Sequence, residues 1–461
     1  MAESRVSVRV RSLRDLFDRD ATGALLLAFA IPFLFLHEKY QLEVTIDLGS
    51  TSVEVRLSDL AVLVVVVAAA VFAVRQGTSR LGPGRILWIP GTALLLWLAF
   101  QALRPDSVDD ALFEDHLVSY AKLVEYALLA VAVPLLVRRT RDLTIVLGSL
   151  VLWSAVASAV ALVQFFGLDV FDAWNAGWRQ PSFLGHHDLA ALSAVSAALA
   201  ATGILCLRTR LPASALWSTA LVAGALGLML AGSVAAAGGF ALGALALAIA
   251  ARGRFEPSPR RFLAVLALVL VVGGGVTAIR ADSLEQFVRF LGVRGDERPQ
   301  GVETYSQRTV LAYIGLRIWE DSPVVGVGWQ RSGREDVFEP YLEDARERFP
   351  DVVDFAFPAK SREWGVQNLY VQMLADAGIV GLLLLLAVGV SGIVLAWRTV
   401  THAPNPWATG VGLVVICALL TLAGEWASLG IVAGIPLQAA TCLLLGLAAA
   451  GAATVEEEAG V

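Results

Sequence analysis

Cysteine, lysine and charge are all scarce in this 461-residue chain, and each scarcity excludes something. The three cysteines, Cys206, Cys417 and Cys442, each lie inside an apolar run. That placement argues against a disulfide framework, and no spacing among them suits zinc. Lysine occurs only at Lys39, Lys122 and Lys360, so basic charge is almost entirely arginine, a usage that fits a GC-rich bacterial genome. Charged residues are 16% of the chain against 57% hydrophobic, whereas soluble domains are about a quarter charged. An ordinary soluble globule is therefore excluded. The net charge of −6 gives no reason to expect nucleic acid as a partner.

What the chain does have is apolar runs near twenty residues long, separated by short polar breaks. A helix of that length matches a bilayer core of roughly 30 Å. Backbone groups in lipid must be satisfied within the segment, so the runs are helices. Spans are expected near 22–37, 57–74, 86–103, 118–137, 143–166, 187–207, 213–231, 234–251, 262–279, 368–397, 407–424 and 428–451. The expected fold class is all-α, a polytopic transmembrane helix bundle of about twelve spans with a large extracytoplasmic loop containing short helices. Residues 1–279 would hold the first nine spans, 280–367 the loop and 368–461 the last three, as one integrated membrane domain. Met1 to Asp20 carries five arginines and three aspartates, unlike a signal peptide, and the first apolar run lacks a small-residue cleavage site.

Charge sets the expected orientation. With the amino terminus inside, the inner segments hold 18 arginines and the short outer loops four basic residues, Lys39, Arg56, Arg104 and Arg179. Inversion would reverse that bias, so both termini are expected in the cytoplasm of a bacterial inner membrane protein. The segment 280–367 then lies outside, with 12 basic and 16 acidic residues. It is too long for an idle connection. Val310, Leu311, Ile314, Ile318 and Trp319 fall at helical spacing within Ser306 to Glu320, which predicts an amphipathic helix against the membrane domain. Asp336 to Arg348 has the makings of a second.

The residues with chemistry cluster around this loop. Tyr305-Ser306-Gln307-Arg308 opens the amphipathic stretch, and Asp321-Ser322-Pro323-Val324-Val325-Gly326-Val327-Gly328-Trp329 follows it. Val366-Gln367-Asn368-Leu369-Tyr370 leads into the tenth span, which contains Asp376-Ala377-Gly378-Ile379-Val380-Gly381. A guanidinium at a helix start facing the membrane suits a phosphate, since it offers a planar fork of donors. Gly326 and Gly328 allow a sharp turn or close approach to a ligand. A surface arginine with a tight loop fits the same residues. Elsewhere, Lys122 and Glu125 at i and i+3 are expected to pair with each other, and Asp376 has no local partner. Glu425 reads as a carboxylate in a water-accessible turn. Trp97 and Trp153 read as packing groups deep in their spans.

In this order the motifs resemble the O-antigen ligase and polymerase superfamily. Upstream features agree: Tyr120, Lys122 and Glu125 open the fourth span, Gln164 closes the fifth, and Arg179 precedes Phe183-Leu184-Gly185-His186-His187-Asp188-Leu189. The resemblance implies transfer of a glycan from a polyprenyl diphosphate carrier to a hydroxyl of a lipid or glycan acceptor at the outer membrane face. It implies no metal, nucleotide or other cofactor. Its loop arginine falls on Arg308, which would bind the diphosphate. Gln367 and Asn368 would position the acceptor, and Arg179, His186, His187, Ser233, Gly326 and Gly328 would serve substrate binding.

Two positions depart from that pattern. The family's histidine before the asparagine is Gln367 here, and its Ser-Arg turn is Ser233-Val234. A glutamine amide is no general base near neutral pH. Glu363, four residues earlier, would share a helix face with Gln367 if the helix extends outward. His186, His187 and Asp188 offer a second titratable group, although adjacent histidines at an interface also fit a hydrogen-bonded structural role. These losses keep open a relative that binds lipid-linked glycan without chemistry. A coupled transporter fits the span count but lacks the buried charges such proteins need.

Overall fold

The computed structural model describes residues 21–48, 51–104, 113–206, 214–290, 304–362, 364–403 and 405–459. Twelve apolar helices alternate in direction through one bundle. They are α1 (Thr22–Leu34), α2 (Leu57–Gln76), α3 (Arg85–Ala102), α4 (Phe113–Leu136), α5 (Thr140–Phe165), α6 (His186–Cys206), α7 (Ser214–Ala231), α8 (Val234–Phe255) and α9 (Pro259–Ile279). Four shorter helices follow: α10 (Ala281–Phe290), α11 (Thr304–Asp321), α12 (Glu335–Phe338) and α13 (Leu342–Arg348). The chain re-enters the bundle as α14 (Leu369–His402), α15 (Pro406–Trp426) and α16 (Pro436–Ala459). Ten of the twelve are long and apolar enough to cross a membrane, and the first and seventh are shorter apolar helices. The protein is an all-α polytopic membrane protein.

One element departs from the sequence reading. Two strands, β1 (Glu43–Leu48) and β2 (Thr51–Arg56), pair antiparallel, with Val44 opposite Val55 and Ile46 opposite Val53. The final helix starts at Pro436 rather than 428, because residues 427–435 form an irregular turn. The acidic run 336–348 divides at Pro340 into α12, a 3₁₀ turn at Glu339–Tyr341 and α13.

The helices α6, α15 and α16 are buried along most of their length and form the centre. Small residues make this possible. Gly224 and Gly227 of α7 lie directly against Ala197 and Ser193 of α6, where a methyl group would collide. Gly239 and Gly243 of α8 do the same against Thr421 and Cys417 of α15. Close backbone approach by small residues is how helices associate where lipid removes the hydrophobic drive.

The long helix α14 is broken at Gly378, with φ 68° and ψ −171°. The break frees carbonyl and amide groups in an apolar setting, and the 321–329 turn satisfies them. Val327 N donates to Ala375 O and Gly328 N to Asp376 O, both at 2.9 Å, while Ile379 N donates to Pro323 O at 2.9 Å. Helix α3 completes the set: Trp97 Nε1 donates to Ala377 O at 2.9 Å, and Gln101 Nε2 to Val325 O at 2.7 Å. Trp97 therefore does more than pack. Trp153 likewise donates to Phe35 O at 2.9 Å, at the end of α1. Asp376 finds its partner in the loop, where its Oδ1 accepts from Ser332 N at 2.9 Å. Lys122 pairs across the bundle with Asp59 of α2 at 2.5 Å, not with Glu125 as its spacing suggested.

Gly326 and Gly328 belong to this junction. Their φ values are +69° and +120°, and a Cβ on Gly326 would run into the backbone of Asp376 and Ala377. A Cβ on Gly378 would meet Val324 O. Gly378→Ala should therefore destabilise the protein by about 2–5 kcal/mol, combining left-handed strain with overpacking. Thermal unfolding in detergent would report it, and an unchanged melting temperature would show that the junction yields.

Candidate active site

The loop segment 304–367 sits over the end of the bundle at which α5, α7, α9 and α15 finish and α6, α8 and α14 begin. The site is built where these ends meet. Helix α11 packs inward through Val310, Leu311, Ile314 and Ile318, all buried, as the spacing predicted. That leaves Arg308 on its flank, half-buried. Its Nε donates to Gln367 Oε1 at 3.0 Å, and its Nη2 lies 3.2 Å from His187 Nε2. His187, in the first turn of α6, bonds through Nδ1 to Glu425 Oε1. Glu425, in the last turn of α15, is fully buried, and its Oε2 accepts from Ser233 Oγ. The expectation of a water-accessible Glu425 is overturned: it joins three helices and is shielded by all of them.

The tautomer of His187 follows from its neighbours. A guanidinium only donates, so Nε2 accepts from Arg308. The ring proton then sits on Nδ1, facing the Glu425 carboxylate.

Two more arginines converge here. Arg179 lies with its guanidinium 4.5 Å above the Trp174 ring, and Arg280, at the end of α9, is 5.1 Å above the ring of Tyr305. Both are buried. Gly232 lets them pass, since a Cβ there would stand 2.7 Å from Arg179 Cβ and 3.5 Å from Arg280 Cδ. Arg179 lies outside the apolar helices, and burial, reinforced by the charges of Arg280 and Arg308, pulls its pKa down to about 9. Three buried polar atoms in this cluster have no hydrogen-bond partner among the described residues: the donors Arg179 Nε and Arg280 Nε, and His186 Nδ1. Burying such groups without a partner is costly.

The remaining residues named from sequence divide by place. Asn368 caps α14, its Oδ1 accepting from Tyr370 N and Val371 N at 3.0 and 3.1 Å, while its Nδ2 donates to Ala427 O at 2.9 Å. Its amide thus fixes the helix start and places Gln367. Gln367 in turn holds Arg308 through its Oε1. Ser233 caps α8 and orients Glu425. Gly326 and Gly328 hold the loop junction, away from this cluster. Glu363 lies outside the described residues, and residues 364–368 are not helical, so the helix extension that was to align it with Gln367 does not form. Sequence reasoning missed Arg280 and Glu425. Arg280 brings a second cation beside Arg179, 46 residues along the chain from Val234, where only its position directly after an apolar run marked it.

Two cavities are present, and the first adjoins the cluster. One, of about 390 Å³, is walled by Tyr40, Phe171 and Trp174 and floored by His186 and His187. The other, of about 400 Å³, is almost wholly apolar and runs between α3, α4, α14, α15 and α16. Leu94, Leu98, Met373 and Leu445 line it, and it reaches Tyr370 and Trp426, neighbours of the site residues.

Fold and site define a polytopic helical membrane protein with a buried cationic cluster under a folded loop. Residues 219–386 match the model of a family described as O-Antigen ligase, which supports the O-antigen ligase superfamily resemblance. The matched stretch contains Ser233, Arg280, Arg308, Gln367 and Asn368; Arg179, His186, His187 and Glu425 lie beyond it. Among curated proteins none matches the chain.

Proposed function

We propose that the protein transfers a glycan from a polyprenyl diphosphate carrier to an acceptor hydroxyl at the outer face of the cytoplasmic membrane. The observation that carries this reading is the convergence of Arg179, Arg280 and Arg308 with buried polar atoms that lack a partner among the described residues, in a bundle that also holds an apolar cavity. A diphosphate would take up the donors, and the isoprenoid chain would lie in the cavity between α3, α4, α14, α15 and α16. The arginine bias toward the opposite end of the bundle supports an outer location for the loop and inner termini. The match to O-antigen ligases agrees with the same chemistry.

Arg179, Arg280 and Arg308 would act on the leaving group. Breaking the bond between the sugar and its phosphate oxygen puts a negative charge on the diphosphate. Cations already fixed around that oxygen stabilise it without reorganising at the moment of reaction. The test is release of polyprenyl diphosphate from native lipid-linked glycan in reconstituted membranes. Release that requires both acceptor and Arg308 supports the reading, and release indifferent to either removes it.

A further inference from the structure

The position where O-antigen ligases would carry a histidine holds Gln367, whose amide oxygen is on Arg308 and which cannot take a proton. A transfer reaction still needs somewhere for the acceptor's proton to go. The structure supplies a candidate from an unrelated part of the chain. His187 stands 3.2 Å from Arg308 through Nε2, and its Nδ1–H faces a carboxylate with no solvent exposure. An imidazole with a buried carboxylate behind one nitrogen, and on the other a lone pair held only by a displaceable guanidinium, has the arrangement of a general base.

We propose that His187, oriented by Glu425, is the general base of glycan transfer, and that the acceptor hydroxyl reaches it through the cavity walled by Tyr40, Phe171 and Trp174. This rests on the reading of the protein as a lipid-linked glycan transferase. The cavity has the character of a sugar subsite: exposed aromatic faces for the ring's C–H surface, with Lys39 and Asp172 as polar groups at its rim. Those two pair at 2.6 Å, and Tyr40 donates to the same carboxylate at 2.6 Å. His187 lines this cavity and also touches Arg308.

In the ligand-free protein Arg308 covers Nε2. A guanidinium has five N–H bonds, and a phosphate drawn to Arg308 competes with His187 for the terminal one. Donor binding thereby frees the lone pair for the acceptor. The acceptor O–H proton then passes to His187 Nε2 as the acceptor oxygen bonds to the anomeric carbon. The bond between that carbon and the phosphate oxygen breaks, and its electron pair leaves with the polyprenyl diphosphate. The proton departs to solvent through the cavity, and Glu425 balances the imidazolium meanwhile.

The groups that face His187 are Glu425 on α15, Arg308 on α11, Arg179 and Arg280 beside them, His186 and Asp188 on its own helix, and His37 across the cavity. His187 contacts Arg308 through Nε2 and has a carboxylate on Nδ1.

The experiment compares wild type, His187→Gln and His187→Ala in proteoliposomes, with native polyprenyl diphosphate-linked glycan and acceptor, across pH 5 to 9. Wild-type turnover should rise with pH along a limb that His187→Gln lacks, and His187→Gln should lose about 10²–10⁴-fold. Imidazole added to His187→Ala should restore part of the rate. Farnesyl diphosphate should bind both variants within threefold of wild type, which also reports that they are folded. Turnover by His187→Gln near the wild-type rate, or a retained pH limb, would overturn the proposal while leaving the transferase reading intact. If wild type itself neither binds farnesyl diphosphate nor releases polyprenyl diphosphate, the transferase reading fails instead, and this proposal with it.

Discussion

Arg308→Ala should reduce release of polyprenyl diphosphate by about 10³-fold or more, because one residue serves three partners. Its guanidinium is held by Gln367 on one side and abuts His187 on the other, beside the orphaned donors of Arg179 and Arg280. Loss of a single preorganised donor in an oxyanion site typically costs about 10²–10³-fold. Here a full charge also goes, and affinity for farnesyl diphosphate should weaken with it. Stability should change little. Arg308 lies on the flank of α11, whose buried contacts come from Val310, Leu311, Ile314 and Ile318. Arg308→Lys separates charge from geometry: an ammonium is a point donor and cannot keep Gln367, His187 and a phosphate together as a planar fork does. It should recover binding more than turnover. A variant Arg308→Ala that transfers glycan at the wild-type rate would end the case for this site.

Much of the fold was legible because the membrane imposes a strong rule. Twenty-residue apolar runs have one available conformation, and all twelve expected spans correspond to helices within a few residues at most ends. The strand pair β1 and β2 was missed although its signal is present. Val44, Ile46 and Leu48 alternate with polar residues, Val53 and Val55 do likewise, and Gly49-Ser50 separates the two runs. Period-two patterning of that length is easily lost beside the far stronger helical runs around it. The last helix was placed early because Ser428 to Ile435 is apolar enough to extend the run, yet Gly430 and Gly434 and a turn interrupt it.

The site was legible only where local sequence carries the function. Arg308 could be picked out as a cation opening an amphipathic helix, and the structure puts it at the centre. The glycines of the 321–329 turn advertised special backbone equally clearly, but the demand they meet is docking onto the break at Gly378. Nothing in a linear sequence distinguishes a glycine that admits a ligand from one that admits another helix. Arg280 and Glu425 were illegible for a different reason. Each stands alone beside apolar residues, and its meaning comes from partners 25 to 246 positions away, in segments whose relative placement sequence alone does not give. A lone carboxylate at a span end deserved suspicion, since burial of an unpaired charge is costly and implies a cation nearby.

Glu425→Gln should move binding and turnover in opposite directions. The amide is isosteric, so its oxygen still accepts from His187 Nδ1 and its NH₂ still reaches Ser233 Oγ, which can accept as well as donate. What changes is charge. Without the carboxylate, Arg179, Arg280 and Arg308 lose their shared counter-charge, so the empty protein should melt at lower temperature. An incoming diphosphate meets one more net positive charge and should bind roughly 3–10-fold tighter, the order expected for one charge at several ångströms near a protein surface. Turnover should fall by roughly 10²–10⁴-fold, because the imidazolium formed on His187 no longer has a carboxylate behind it. KM and kcat would thus fall together, a pattern that general loss of folding cannot produce. Tighter binding with unchanged turnover would reduce Glu425 to a charge balancer and separate it from the proton transfer at His187.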